Sequence, residues 1–328
     1  MRKLVAAFGS FLLILSLSAC SVVKPAVTVL PSSSVTTPPS STTATKPSNP
    51  TKPPETKPVE PYLTYSPYVV GVSVRNYLGE DYDLYCEMID SLIRYDGKVS
   101  GFKSEEHFLG LWRVLMECFE PAQKICANYN TTMTPYTYED GTVQIGFQLE
   151  RSKHDQTINA FSDRITQALS CVDADDSEVE KIAKLHMFVS TTMVYGFGAG
   201  SMYDCIMTNT GICGNYAQYL ILLLNQAGIE CHQAGGTGAG VDHAWVIAKM
   251  GGQYYHFDPT WEAASRNWSW FAFGDELRHK SLVDPSVQGS LELSGDWDYA
   301  TGKWLPPQQC PETFRESVRS WDTSPWEW

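Results

Sequence analysis

The stretch from Gly211 to Trp261 constrains this chain more than any other. It opens with Gly211-Ile212-Cys213-Gly214-Asn215-Tyr216-Ala217 and runs into the apolar segment Tyr219-Leu220-Ile221-Leu222-Leu223-Leu224. Good helix formers continue to Gln226-Ala227-Gly228, and Gly228 reads as the residue that stops the helix. Cys213 therefore falls at or just before a helix N-terminus. Unpaired backbone N–H groups and the helix dipole favour a thiolate there. The same N–H groups can stabilise an oxyanion. A glycine at position 214 lets a substrate approach the backbone closely.

Strands follow the helix. Ile229–His232 and Val241–Lys249 read as strands, with a turn over Gly235–Gly240 between them. Gly251-Gly252 is a tight hairpin turn into Gln253–Asp258. Pairing across that turn sets His243 opposite the neighbourhood of Thr260 and Asp258 opposite Trp245. His243 and Asp258 then lie within a cross-strand diagonal of each other. Asp258 can hold the imidazole tautomer while the other ring nitrogen faces Cys213. Each residue alone would be read as structural: a buried thiol, or a His–Asp hydrogen bond. Together, each in the element the chemistry needs, they point to a nucleophile, a base and its orienter.

These segments resemble the transglutaminase-like superfamily. The matching residues are Gly211–Ala217, Asp242-His243-Ala244-Trp245 and Phe257-Asp258-Pro259-Thr260-Trp261, with further likeness at Lys184-Leu185-His186, Tyr195, Trp270-Phe271 and His279. The resemblance spans about residues 177–280 and implies an α+β papain-like core, a cysteine-bearing helix packed on an antiparallel sheet. It also implies a thioester mechanism. Cys213 attacks an amide or peptide carbonyl with His243 as base and Asp258 orienting it, and water or an amine resolves the thioester. The oxyanion would be met by the Cys213 N–H and an upstream side chain, for which Tyr203 is a candidate alongside an ordinary structural role. Trp245 either walls the site against water or is simple core. The superfamily holds crosslinking acyltransferases, peptidases and amidases, so hydrolysis and transamidation both stay open. The calcium sites of the animal enzymes have no counterpart in this sequence. No cofactor and no metal is expected.

Residues 1–20 read as a secretory signal, with Arg2 and Lys3 ahead of a short apolar run from Phe8 to Leu17. Leu17-Ser18-Ala19-Cys20 is similar to a bacterial lipobox, which implies lipidation of Cys20 and anchoring to a membrane. Residues 21–61 hold ten prolines, fifteen Ser or Thr and no aromatic. Such a segment cannot bury enough apolar surface to fold. Extended, it would reach on the order of 100 Å at about 3.1 Å per residue. The expected location is outside the cell, at a bacterial surface, with protein or cell-wall peptides as substrates.

Residues 62–175 read as a helix-rich extension. Tyr82, Tyr85, Met88, Ile89 and Leu92 share a helical face, Ser104 is placed to cap the next helix, and Thr142–Leu149 alternates like a half-buried strand. Ser177 with Glu180 makes a capping box at the start of the core, residues 176–283. His186 lies on that helix's apolar stripe and is expected to be a hydrogen-bonded core residue. His256 shares a strand face with Asp258, in a structural or supporting place. The segment 284–328 is rich in tryptophan (Trp297, Trp304, Trp321, Trp326, Trp328), fit to pack on the domain or to bind glycans.

Composition excludes some functions. The net charge is −13, and removing Arg2, Lys3 and the linker lysines leaves the globule more acidic still. Such a surface repels phosphate backbones, so nucleic acid is not an expected partner. The nine cysteines form no C-x-x-C pair, and His232, His256 and His279 lack metal-ligand spacing, which argues against zinc. With Cys20 lipidated and Cys213 reactive, an odd number of thiols remains, so at least one is unpaired. The reading is a surface-anchored cysteine acyl-transfer enzyme. The alternative is a surface interaction module that keeps the fold without turnover.

Overall fold

The computed structural model describes residues 61–126, 136–137, 141–198, 200–238, 241–275, 291–299 and 301–314. The signal segment, Cys20, all but the last residue of the linker, His279, Trp321, Trp326 and Trp328 lie outside the described residues.

The N-terminal part is mostly helical. Helices α1 (Val72–Leu78), α2 (Tyr82–Arg94), α3 (Glu105–Cys118) and α4 (Ala122–Ile125) enclose a small sheet. In α2 the buried side chains are Tyr85, Met88, Ile89, Ser91 and Leu92, while Tyr82, at the helix start, is only partly buried. Ser104 caps α3, accepting the His107 N–H. The sheet holds β1 (Lys98–Val99), β2 (Tyr136–Thr137) and β3 (Val143–Gln144) in the order β1-β3-β2. The alternating run at Thr142–Leu149 yields only this short strand. Its continuation changes partners: Ile145 N–H donates to Gly97 O and Gln148 N–H to Ile125 O, so one ladder gives way to another.

Next come α5 (Arg151–Leu169), α6 (Glu178–Thr192), β4 (Val194–Tyr195), α7 (Met202–Thr208), β5 (Thr210–Gly211) and α8 (Cys213–Gln226). The Ser177–Glu180 capping box starts α6. Helix α8 buries every residue from Tyr219 to Leu224, and Gly228 follows its end with φ of 77°. Each such leucine contributes roughly 1.5–3 kcal/mol on burial, which fixes the helix and with it Cys213.

α8 packs on a five-stranded antiparallel sheet of order β10-β9-β6-β7-β8. Its strands are β6 (Cys231–Gly238), β7 (Val241–Met250), β8 (Gln253–Phe257), β9 (Leu291–Asp298) and β10 (Lys303–Leu305), with α9 (Pro259–Ser265) after β8. Both turn glycines, 251 and 252, have positive φ (59° and 85°), which suits the right-handed twist of a two-residue hairpin. Met250 pairs Gln253 and Val246 pairs Phe257, the register that turn requires.

One expectation fails here. Gly235–Gly238 is strand rather than turn, because β6 runs through these glycines; residues 239 and 240 of the expected turn lie outside the described residues. The reason is packing. A Cβ on Gly235 would lie 2.2 Å from the Trp304 ring, and one on Gly238 would lie 2.6 Å from the Trp261 ring. Indoles lie directly against this strand's backbone. The sheet also continues past residue 283, since β9 pairs β6 and β10 pairs β9.

Candidate active site

Cys213 is the first residue of α8 and is partly exposed. Ile212 before it is extended, and its N–H donates to Asn215 Oδ1 at 3.0 Å, so Asn215 reaches back to fix the helix start. Gly211 is required by this arrangement, because a Cβ there would lie 2.6 Å from Asn215 Cβ. A Cβ on Gly214 would meet nothing within 4 Å, so the backbone faces open space at that point. The N–H groups of Cys213 and Gly214, in the first helical turn, have no intrahelical acceptor.

His243 sits on β7, almost entirely buried. Its Nε2 lies 2.6 Å from Asp258 Oδ2. A carboxylate only accepts, so Nε2–H is the donor, which leaves Nδ1 for the Cys213 thiol within hydrogen-bonding reach. Asp258 is fully buried and does two jobs. Its Oδ1 accepts the N–H groups of Thr260 and Trp261 at 3.0 Å each, capping α9, while Oδ2 holds His243. Its own N–H donates to Trp270 O. Burial alone would favour the neutral imidazole, but the charge and hydrogen bond of Asp258, with the Cys213 contact, outweigh it and push the His243 pKa up. The imidazole is also stacked with two indoles, Trp261 at 4.7 Å and Trp245 at 5.9 Å, with interplanar angles of 18° and 20°.

The other sequence candidates fall in different places. The Tyr203 hydroxyl donates to Thr157 O at 3.4 Å and its ring stacks on Phe161, so its one donor is spent on α5 rather than offered to an oxyanion. Trp245 is wholly buried beneath His243. His186 is buried as expected but without a hydrogen-bond partner at either ring nitrogen, and packs against Phe257 and Phe271. Burial alone lowers its pKa to about 3. His232 pairs with Asp296 across to β9 at 3.0 Å. No disulfide joins any of the eight described cysteines.

Glu262 escaped the sequence reading. It is fully buried on α9 and accepts three backbone N–H groups, from Asn267, Trp268 and Trp270. It thereby fixes the loop whose Trp270 carbonyl holds Asp258. Burial raises its pKa, against the pull of those backbone donors. A glutamate in a first helical turn looks like an ordinary dipole partner, so nothing local marked it. Trp261 was part of the motif, but nothing in the spacing showed its stacking on His243.

A cysteine at a helix N-terminus, facing an aspartate-held imidazole on an antiparallel sheet, defines a papain-like α+β domain of the transglutaminase-like class. Residues 165–259 match the family model described as the transglutaminase-like superfamily, so the chain carries a transglutaminase-like domain. Two solved chains are similar in part. One is described as a candidate cysteine protease from Cytophaga hutchinsonii, 19% identical over 34% of this chain and 43% of that one, with a TM-score of 0.28. The other is a TGase, 13% identical over 34% of each chain, also with a TM-score of 0.28. The chain thus spans less than half the length of either. No curated protein matches it.

Proposed function

We propose that this protein is a cysteine acyl-transfer enzyme whose acyl group is carried on Cys213. The observation that supports this most is the continuous contact from the Cys213 thiol through His243 to the buried Asp258. The thiol proton passes to His243, which the aspartate stabilises as imidazolium. The sulfur attacks an amide carbonyl carbon, and the N–H groups of Cys213 and Gly214 meet the developing oxyanion. Collapse expels ammonia or an amine, which takes the proton from His243 and leaves a thioester. Water or a second amine then attacks, giving its proton to His243, and the thiolate is restored.

The lipobox-like Cys20 and the proline-rich linker support a placement at a bacterial surface, with protein or wall peptides as acyl donors. Incubating the purified protein with a glutamine-containing protein and a tagged primary amine tests the chemistry. Tag incorporation that is lost in Cys213→Ala identifies a transamidase. Cleavage or ammonia release without tag, again lost in Cys213→Ala, identifies a hydrolase. Turnover that survives in Cys213→Ala, or no turnover on either path, would refute the thioester reading.

A further inference from the structure

Behind His243 lies a second His–Asp pair, a buried His256 and a partly exposed Asp275. Trp245, on β7, donates its indole N–H to His256 Nδ1 at 3.0 Å. His256, on β8, meets Asp275 Oδ1 through Nε2 at 3.0 Å. Asp275 Oδ2 accepts the Cys310 N–H at 3.2 Å, and the Asp275 N–H donates back to Cys310 O. Trp245, His256 and Cys310 are all fully buried.

Ligand-bearing atoms of His256, Asp275 and Cys310 lie within 4.8 Å of one another, which invites a metal reading. The hydrogen bonds argue otherwise. An indole N–H can only donate, so His256 Nδ1 must accept and Nε2 must carry the proton that Asp275 receives. A ligating histidine has the opposite arrangement: its free lone pair faces the ion and its other nitrogen donates. A metal at Nε2 would require an imidazolate here.

The brace does something else. Trp245 presents its ring face to His243, and its rotation is set by one polar atom, Nε1, anchored on His256. We propose that Trp245, His256 and Asp275 are positioning residues for His243, and that the C-terminal segment completes them through Cys310. This rests on the reading of Cys213 and His243 as the reacting pair. Fixing the indole fixes the imidazole stacked with it, so Nδ1 stays aimed at the sulfur. Four separate parts of the chain thus converge on one ring: β7, β8, the residue after Gly274, and the segment around Cys310.

The test compares two changes at one position. His256→Asn keeps an acceptor near Nδ1; His256→Phe removes it. The readout is the iodoacetamide alkylation rate of Cys213, followed by peptide mass spectrometry in the full chain, with His243→Ala as the uncoupled reference. The expected result is a rate within about threefold of wild type for Asn and a fall of about tenfold or more for Phe. Trp245→Phe, which keeps the stack but loses the N–H donor, serves if His256→Phe does not fold, and should also fall. Equal rates in the Asn and Phe variants, an unchanged rate in Trp245→Phe, or a stoichiometric metal lost in Asp275→Asn would overturn the proposal. A wild-type rate no faster than that of His243→Ala would overturn it too. The tagged-amine assay judges the enzymatic reading separately, since a fast-alkylating Cys213 without turnover refutes only that reading.

Discussion

Asp258 carries two loads through two different oxygens, and substitution can separate them. In Asp258→Asn the amide oxygen can still accept from Thr260 and Trp261, as Oδ1 does now. The amide nitrogen then faces His243 Nε2, where a carboxylate oxygen stands 2.6 Å away. Two donors cannot share a hydrogen bond, so the imidazole must give up its Nε2 proton and place it on Nδ1, against the thiol. The base is then in the wrong tautomer, and the imidazolium loses its counter-charge. Asparagine caps a helix about as well as aspartate, so the stability loss should be only the charge-assisted bond, about 1.5–3 kcal/mol. Asp258→Ala removes the cap as well, about 1 kcal/mol more, and leaves a buried ring nitrogen unpaired. Turnover should fall by about 10³–10⁴ in both, the scale seen when a triad carboxylate is neutralised. Denaturant unfolding with steady-state kinetics on the same preparations separates the two effects. The pH sign is definite. His243 binds its proton more tightly folded than unfolded, so its stabilisation is full below about pH 6.5 and is lost as pH rises through the raised folded value. The stability gap between wild type and Asp258→Asn should therefore narrow towards alkaline pH. An Asn variant within about tenfold of wild-type turnover would refute the tautomer reasoning.

His186 is held neutral in the core with a pKa near 3, so the unfolded chain takes up its proton first. Stability is lost as pH falls below about 6.5, by about 3 kcal/mol at pH 4 from this residue alone; His186→Phe should remove that part of the slope in urea melts from pH 7 to 4. Gly211→Ala sets a Cβ 2.6 Å from Asn215 Cβ at the base of the nucleophile helix. It should cost about 1–3 kcal/mol by thermal unfolding and slow Cys213 alkylation as the helix start moves. Glu262→Ala strips three backbone N–H groups of their acceptor. It should destabilise by at least about 3 kcal/mol, and faster hydrogen exchange at Asn267, Trp268 and Trp270 would locate the loss.

Legibility in the sequence followed the range of the interaction. The Gly251-Gly252 turn fixes the pairing of β7 with β8, so the hairpin register could be counted out. Ser177 with Glu180, and Gly228 after an apolar run, mark helix ends through bonds a few residues long. The α+β class was implied by the resemblance that Gly211–Ala217, Asp242–Trp245 and Phe257–Trp261 carry. What could not be read depends on partners far along the chain. The glycines of β6 look like a turn until Trp304 and Trp261 are seen pressed against them. Asp275 joins His256 from nineteen residues away, and Asp296 meets His232 from sixty-four. Tyr203 was chosen for its place ahead of the cysteine, but an α-helical tyrosine points where its own face packs, and that face belongs to α5.

The aromatic residues around His243 explain why an acidic, glycine-rich sheet can hold a charged ring in its interior. A buried imidazolium is costly unless its charge is answered nearby. Here Asp258 answers it at Nε2, and the Trp261 and Trp245 indoles stack with the ring. Trp261 can stand that close only where the neighbouring strand lacks a side chain, since a Cβ on Gly238 would lie 2.6 Å from its ring. A side chain at position 238 would push the Trp261 ring away from the imidazole. This glycine of β6 therefore acts on the base indirectly. Gly238 surrenders strand stability, since glycine weakens a strand interior, and gains room for the Trp261 ring against His243.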